Sequence, residues 1–457
     1  MRKHADNVAN VGRVSTRQTT MAHGDVGFAG EWKRTSLREA GVSLIDCDHR
    51  TPSAVDSGYP YIAIPQVKQG RIDLSNVRYI SPTHFVEWTR KAKPRHHDVI
   101  LSRRCNPGET AYVPAGLECA LGQNLVLLRS DTTKVFPPFL RWLVRGPDWW
   151  EQVNTFINVG AIFDSLKCAD IPNFKMPLPP LPEQKTIAHI LGTLDDKIEL
   201  NRRMNATLEA MARALFQSWF VDFDPVRAKL DGRQPAGLDA ATTALFPAHF
   251  QDSPLGHIPQ GWEVRSLDQI AHFLNGLALQ KYPPGDGETL PVIKIAQLRK
   301  GDSEGADRCN TELAPQYIVK DGDVLFSWSG SLEVELWCGG RGALNQHLFK
   351  VTSSEFPKWF YYLWTLYHLN EFRLIAAGKA TTMGHIQRGH LTAAKALIPS
   401  PALLKSMTHI MAPLIDQIIA NCTQSYTLAT LRDSLLPKLL SGELRVGDLE
   451  QVAEEVS

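Results

Sequence analysis

Apolar residues recur along two long stretches of the chain with the spacing of one helix face, and both stretches carry the same spacing. Leu191, Leu194, Ile198, Leu208 and Leu215 form the first stripe. Met411, Leu414, Ile418, Leu428 and Leu435 form the second, each 220 positions after its counterpart. Steps of three, four and seven predict amphipathic helices with a heptad-like seam. The offset holds over about ten helical turns, and loops would have accumulated insertions, so rigid helix is expected in both copies. A helix from Glu183 to Val221 would span roughly 55–60 Å. Alone in water its stripe would be exposed, and the natural cover is the second copy, giving an intramolecular two-helix rod. Asn201 and Asn421 interrupt the stripes at the same place. Polar residues in a seam fix register at some cost in stability, and a solvated edge of the stripe explains them equally well. Pro413 is expected to kink or shorten the first turns of the second helix. Met204, Met211, Phe216, Trp219 and Phe220 need cover, either from a partner protein or from the chain's own second copy.

Ahead of each stripe the pattern turns strand-like. Tyr59–Val67 and Leu290–Leu298 are runs rich in β-branched and aromatic residues, read as strands. Asp98–Ser102 is answered by Asp323–Ser327, and Leu121–Leu125 by Leu344–Leu348. Pro137–Leu143 and Pro357–Leu363 read as amphipathic helices with proline at the mouth. The first unit opens near Phe28. Its Glu31-Trp32-Lys33 and Ser36-Leu37 correspond to Gly261-Trp262-Glu263 and Ser266-Leu267. In these segments the offset drifts from about 230 to 220, so the halves differ by loop insertions, and variable loops on a shared scaffold are where recognition sits. A proline-rich joint, Pro177-Leu178-Pro179-Pro180-Leu181-Pro182-Glu183-Gln184, leads into the first helix and sets its exit angle. The second copy keeps Pro399 and Pro401 but has Leu403-Leu404 in place of Glu183-Gln184.

The division expected is therefore a disordered N-terminal tail over 1–27, with Met21 as another possible start. A first globular domain follows over 28–180, then a long helix over 181–222 and a linker over 223–257. A second globular domain over 258–400, a second long helix over 401–442 and an acidic tail over 443–457 complete the chain. The linker is punctuated by Asp224-Pro225, Asp231-Gly232, Pro235, Pro247 and Pro254-Leu255-Gly256, which reads as too irregular for a packed domain. The fold class is α+β: two similar globular α/β domains separated by two long helices, with internal twofold pseudo-symmetry.

At 457 residues the chain exceeds one core. No apolar run approaches the roughly 20 residues of a membrane span, and the N-terminus lacks the apolar stretch of a signal peptide. The seven cysteines lack Cys-x-x-Cys spacing, which points to buried thiols in a reducing cytosol rather than a disulfide framework or zinc knuckle. A cytoplasmic location is expected. Net charge is +1, against a simple nucleic-acid coat but compatible with basic residues gathered on one face.

The layout resembles the specificity subunit of type I restriction–modification enzymes. The residues that carry the resemblance are the joint 177–184, the helix Ile187 to Phe220 and the exit Ser218-Trp219-Phe220-Val221-Asp222-Phe223-Asp224-Pro225-Val226. Leu255-Gly256-His257-Ile258-Pro259-Gln260-Gly261-Trp262 opens the second half, and Leu435-Leu436-Pro437-Lys438-Leu439-Leu440-Ser441-Gly442 closes it. The resemblance covers about residues 28 to 446. It implies that each globular half is a target-recognition domain reading one half of a bipartite double-stranded DNA site. It implies that the helices form an antiparallel coiled coil that sets the spacer and docks two methyltransferase subunits, with restriction subunits joining the complex. It implies no catalytic residue, no metal and no cofactor in this chain; S-adenosylmethionine, ATP and Mg2+ would belong to the partners.

The residues agree. Tyr282-Pro283-Pro284-Gly285 and Phe136-Pro137-Pro138-Phe139 lack the leading Asn or Asp of an adenine methyltransferase motif, and no phosphate-binding Gly-x-x-x-x-Gly-Lys-Ser/Thr loop occurs. Asp170 with Glu183-Gln184-Lys185 mimics a nuclease metal site, but Glu183 is placed where a helix start favours a carboxylate. Phosphate contacts call for Lys and Arg, base edges for Arg, Asn, Gln or Ser. The candidates in the first half are Gln66, Lys68, Arg71, Arg103, Arg104, Gln123 and Asn124. In the second they are Gln297, Arg299, Lys300, Ser327, Ser329, Asn345, Gln346, His347 and Arg388. Most follow expected strands. Gln123-Asn124 and Asn345-Gln346 stand out because both copies keep amides there, although backbone capping explains amides too. The rivals are a protein adaptor, which would not discriminate DNA sequences, and a nuclease or methylase in its own right, which the absent motifs disfavour.

Overall fold

The computed structural model describes residues 32–160, 162–378 and 384–445. The expected tail over 1–27, Glu31 and the end of the acidic tail lie outside them. The chain groups into two compact units, one of residues up to Lys185 together with those from Pro437 onward, the other Thr186–Leu436.

The first unit contains a four-stranded antiparallel sheet in the order Val42–Asp46, Leu125–Ser130, Val99–Ser102, Thr110–Tyr112. Its central strands bury a run of aliphatics, Val99, Ile100, Leu101 and Leu125 to Leu128. A smaller sheet sets Tyr59–Ile62 antiparallel to Arg78–Ile80 and parallel to Ala120–Leu121. A two-stranded pair, Arg34 opposite Pro177, joins the start of the domain to the strand before the long helix.

The second unit repeats this topology. The order His272–Asn275, Leu348–Thr352, Val324–Ser327, Val334–Leu336 matches the first sheet strand for strand. Thr289–Ile293 again has one antiparallel neighbour, Arg308–Asn310, and one parallel neighbour, Gly342–Leu344. Glu263 opposite Ile398 closes the domain as Arg34 opposite Pro177 does. The runs read as strands over 59–67 and 290–298 are shorter than expected. They stop at Ile62 and Ile293 and turn into helical segments, Ile64–Gln66 and Ile295–Lys300. In each, a glutamine reaches back to an N–H three residues earlier: Gln66 Oε1 accepts from Ala63 N at 3.2 Å and Gln297 Oε1 from Lys294 N at 3.3 Å. That bond satisfies an amide the strand ladder no longer uses and ends the strand.

The two long helices are Leu181–Phe220 and Pro401–Ser441. Glu183 lies in the first turn, where the exposed amides and the helix dipole favour a carboxylate. Their partners across the seam run in opposite directions: Arg432 bonds Asp195, Asn201 bonds Ser425, and Asn205 bonds Asn421, so the pair is antiparallel. Leu191, Ile198, Met411 and Ile418 are fully buried, and Leu194, Leu208, Leu215, Leu414, Leu428 and Leu435 are half-buried flanks. Antiparallel pairing brings repeat-equivalent residues together only at the centre, so Leu194 and Leu414 fall on opposite sides of it. Asn201 and Asn421 are buried at that centre rather than on a wet edge. Asn201 Nδ2 donates to Asn421 O (3.3 Å), Gln424 Oε1 (2.9 Å) and Ser425 Oγ (3.2 Å). Asn421 Nδ2 donates to Asn205 Oδ1 (2.8 Å).

Pro413 does not shorten the second helix, which is continuous through it. The proline is solvent-exposed, where the carbonyl it leaves without a helical donor turns to water. Phe216, Trp219 and Phe220 are buried, and their cover is neither a partner nor the second helix alone. They enter the aromatic core of the second domain, with Phe220 at 5.4 Å from Trp262 and 5.6 Å from Trp364, and Phe216 at 5.0 Å from Trp364. Aromatic pairs of this kind contribute ~0.5–1.5 kcal/mol each beyond their burial. Met211 remains exposed.

The linker, expected to be irregular, is packed. It forms helices Asp224–Leu230 and Ala240–Leu245 and a hairpin, Phe250–Ser253 with Gly256–Pro259. Phe223, Val226, Phe246 and Ile258 are buried in the same core as Phe220. The breakers bound these elements instead of preventing them. Pro225 occupies the first turn of a helix, and Gly232 (φ +72) and Gly256 (φ +91) take the left-handed turn positions.

Candidate nucleic-acid interface

In each domain a central strand ends beside the tight turn that starts its neighbour. In the first, Ser102 pairs with Leu125, and Arg103 N–H donates to Asn124 O at 2.9 Å. Asn124 is at φ +67, a left-handed position that asparagine tolerates, so it serves the turn itself. Gln123 is exposed on that turn, and its Nε2 donates to Thr51 Oγ1 at 3.1 Å. Beside it opens a concavity of ≈ 350 Å³ lined by Thr51, Tyr61, Gln66, Asn76, Arg78 and Gln123 among others. The fold thus brings Gln66 and Gln123, 57 positions apart in the chain, to one hollow bordered by amide, hydroxyl and guanidinium groups. Arg104 is exposed and its backbone pairs with Ser165. Val159, Ile162 and Phe163 are exposed ahead of Ser165. Lys68 is ion-paired with Asp73 at 2.6 Å, and Arg71 is half-buried on the neighbouring strand.

In the second domain the equivalent register sets Ser327 opposite Leu348, so Gln346 takes the place of Gln123 and His347 that of Asn124. Here the side chains converge on one network. Ser329 Oγ and His347 Nδ1 are 3.0 Å apart, and Gln346 Nε2 lies 3.3 Å from His347 Nε2. Trp328 Nε1 donates to Asn275 Oδ1 (3.0 Å) and Gln346 O (3.2 Å), and its ring lies 5.9 Å from the His347 ring. Arg388 is exposed, donates to Phe273 O at 3.2 Å and lies over the Phe349 ring at 5.6 Å. Gln346 and His347 therefore meet on one turn, and Arg388 lies over the Phe349 ring two residues on.

Several candidates are placed elsewhere. Ser327, Ser329 and Asn345 are 0%, 3% and 3% exposed, and a side chain without surface cannot reach a base edge in this conformation. Ser327 Oγ instead donates to Ser331 O and accepts from Glu333 N, both at 2.7 Å, which holds the loop after its strand. Asn345 Oδ1 accepts from His347 N at 3.2 Å. These are the backbone-capping roles that short polar side chains take at strand ends. Gln297 caps its own helix. Arg299 faces Glu333 at 3.9 Å, and Lys300 faces Asp302 at 3.2 Å, which reduces their pull on a phosphate. Sequence reasoning missed Thr51, Asn76, Arg78, Asn275 and Trp328. Trp328 had a signal, an aromatic residue between two serines just past a strand; Asn275 and Arg78 had none, since only the tertiary fold brings them to these turns.

Asp46, Cys47 and His49 also cluster, with ligand-type atoms within 4.8 Å of one another. The Cys47 thiol is buried, donates to Gly122 O, and is pushed up to about 11 by burial and by Asp46. A thiol held protonated is a poor metal ligand. Cys119, Cys309 and Cys338 are buried as well, whereas Cys105 is exposed.

The duplicated scaffold with two polar turn faces matches, over residues 50–210 and again over 259–426, the family model of the type I restriction modification DNA specificity domain. The chain belongs to this family. Among specificity-subunit relatives, the MjaIX subunit of Methanocaldococcus jannaschii is 28% identical over 360 residues, 77% of this chain and 78% of that one. The HindI subunit of Haemophilus influenzae is 21% identical, over 76% of this chain and 86% of its own. The crystal structure of the S subunit from M. genitalium superposes with a TM-score of 0.49 at 14% identity, over 91% of this chain and 97% of that one. As a specificity subunit the chain recognises DNA and is not itself catalytic. No helix among the described residues is long and apolar enough to cross a membrane.

Proposed function

We propose that the two polar turn faces each read one half of a bipartite double-stranded DNA site, and that the paired helices fix the length of the unread spacer. The observation that carries this reading is a polar turn at the same place in both domains with different neighbours: Gln123 with Thr51 and Arg78 around a hollow in one, Gln346 with His347 in the other, where Arg388 lies over the neighbouring Phe349 ring. A shared strand register with exchanged side chains is what two different half-sites require, since amides and guanidinium groups discriminate base edges by paired hydrogen bonds. Half-sites about one helical turn apart, ~34–36 Å, would present the same face of the duplex to both domains. In this reading two methyltransferase subunits dock on the helices and their flanking joints, and restriction subunits join the assembly. S-adenosylmethionine, ATP and Mg2+ are bound by those partners. The near-neutral chain then binds DNA weakly alone and tightly in the complex.

The test is the set of methylated adenines in DNA from cells expressing the complete system. Replacing His347 by Ala should relax the second half-site and leave the first unchanged, with roughly 1–3 kcal/mol of discrimination lost at the affected base. A chimera carrying a foreign first domain that still methylated the original first half-site would sink the proposal.

A further inference from the structure

The turn that follows the edge strand Val334–Leu336 of the second domain lays a cysteine against the second long helix. Cys338 is buried in it, with Sγ 3.8 Å from Ile419 O. Two residues on, a Cβ added to Gly340 would meet the Tyr426 ring at 3.7 Å. Ile419, Cys422 and Tyr426 follow one another at steps of three and four, so they share one helix face. The turn runs along that face with Cys422 at its middle, and the Cys338 and Cys422 thiols are hydrogen-bonded to each other. The turn is also held from behind. Trp337 Nε1 donates to Gly340 O at 2.6 Å, and Gly340 N donates to Asp321 Oδ1 at 2.8 Å.

The two sulfurs differ in what surrounds them. Asn205, on the first long helix, donates Nδ2 to Cys422 Sγ at 3.1 Å. The Cys422 thiol is drawn below its ordinary range, first by the Cys338 S–H and then, against burial and Glu209, by that amide. Cys338 is pushed up by the same contact and by its burial. Cys47, Cys119, Cys168 and Cys309 are all pushed up as well, burial first. Cys422 is only half-buried, so a small oxidant can reach it. A reachable sulfur with donors aimed at it, beside a thiol that keeps its proton, combines a nucleophile with a resolving partner. The first half of the chain has neither. Strand register matches Cys338 to Pro114, and the helix repeat matches Cys422 to Arg202. We propose that Cys338 and Cys422 form an oxidisable dithiol, which a peroxide closes into a disulfide that pins the second domain's turn to its long helix. The Cys422 sulfur attacks one peroxide oxygen and the O–O bond breaks. Cys422 becomes a sulfenic acid, and the departing hydroxide leaves as water with the Cys422 proton. The Cys338 sulfur then attacks the Cys422 sulfur, and its proton leaves with the displaced hydroxide as a second water. Two thiols have lost two electrons and the peroxide has gained them. A small dithiol reverses the step by exchange.

The test uses the full chain, fully reduced and then exposed to hydrogen peroxide for timed intervals. Remaining thiols are blocked with iodoacetamide in urea, and peptides are mapped by mass spectrometry without reductant. The Cys338–Cys422 linked peptide should exceed every other linked pair by about tenfold or more, because only these thiols are already in contact. It should vanish after dithiothreitol. The same oxidation carried out in urea should scatter links among the seven cysteines. Cys338→Ser removes the resolving thiol, so dimedone should trap a sulfenic acid on Cys422. Cys422→Ser should leave Cys338 unlabelled. The wild-type map carries the test should either variant fold poorly. Native links no more frequent between Cys338 and Cys422 than elsewhere overturn the proposal. So does peroxide treatment that oxidises the exposed Cys105 and leaves both of these thiols open to iodoacetamide.

Discussion

Gln184 shows how a single side chain can explain a difference between the two copies. It is fully buried; its Oε1 accepts from Phe136 N at 2.8 Å, and its Nε2 donates to Lys134 O at 2.9 Å and Pro179 O at 2.8 Å. The amide thus ties the proline joint to the helix mouth of the first domain. In the second copy Phe356 takes the place of Phe136, and its N–H is met by Ser353 Oγ at 3.0 Å, so an apolar Leu404 suffices where Gln184 stands. Gln184→Ala should therefore destabilise the first unit by ~2–4 kcal/mol, since three backbone groups around this buried amide lose their partner. Leu404→Ala should act only through lost packing. Urea midpoints followed by tryptophan fluorescence check this; a Gln184→Ala midpoint equal to that of the wild type would contradict it. Glu335 makes a pH-dependent case. It keeps contact with solvent yet is crowded by protein, and burial, then Glu209 and Glu333, raise its carboxyl to about 7. The fold therefore binds this proton more tightly than the unfolded chain does. The contribution is full below about pH 4.5 and lost as pH rises toward 7. Glu335→Gln should be close to neutral at pH 4.5 and increasingly stabilising relative to wild type by pH 8, in melting temperatures taken across that range. Solvent screening of this exposed residue keeps the gain modest.

At the scale of elements, the long helices were the most legible feature because a seam imposes one period on many residues. Their length and mutual pairing could be read from spacing, whereas the spacing left Asn201 and Asn421 undecided between seam and wet edge. The strands were legible as runs but not at their ends, which depend on Gln66 and Gln297 folding back on single amides. The linker misled because proline and glycine mark turns without saying what lies between them; Phe223, Val226 and Phe246 are too widely spaced to announce a core. The same lesson applies to Trp219. Its exposure on an isolated helix suggested a docking surface, but it is 2% exposed within the second domain's aromatic core. Trp219→Ala should accordingly cost ~3–5 kcal/mol, as truncation of a buried tryptophan does. A variant as stable as the wild type in chemical denaturation, yet unable to assemble with its partners, would return Trp219 to the role of a docking residue.

For the whole molecule, duplication carries the functional argument, and site chemistry was only partly readable. The repeat located the turns holding Gln123 and Gln346 but could not separate side chains on the rim from those buried beneath it, such as Ser327 and Asn345, because burial is decided by neighbours distant in sequence. What duplication does specify is a ruler that can be lengthened. Inserting one heptad at equivalent points of both long helices keeps the seam in phase, since the apolar stripe repeats on that period. Seven residues add ~10 Å at ~1.5 Å each, the rise of about three base pairs at ~3.4 Å. Three base pairs also turn the duplex by roughly a third of its ~10–10.5 base-pair repeat, whereas an in-phase heptad barely rotates the helix pair. The lengthened protein should therefore recognise the same two half-sites across a spacer longer by about three base pairs, with weaker modification because the second half-site no longer presents quite the same face. Sequencing of methylated adenines reads both effects at once. An unaltered spacer in a folded, assembled variant would mean that the helices do not set the distance, and changed half-sites with the old spacer would mean that they carry recognition themselves.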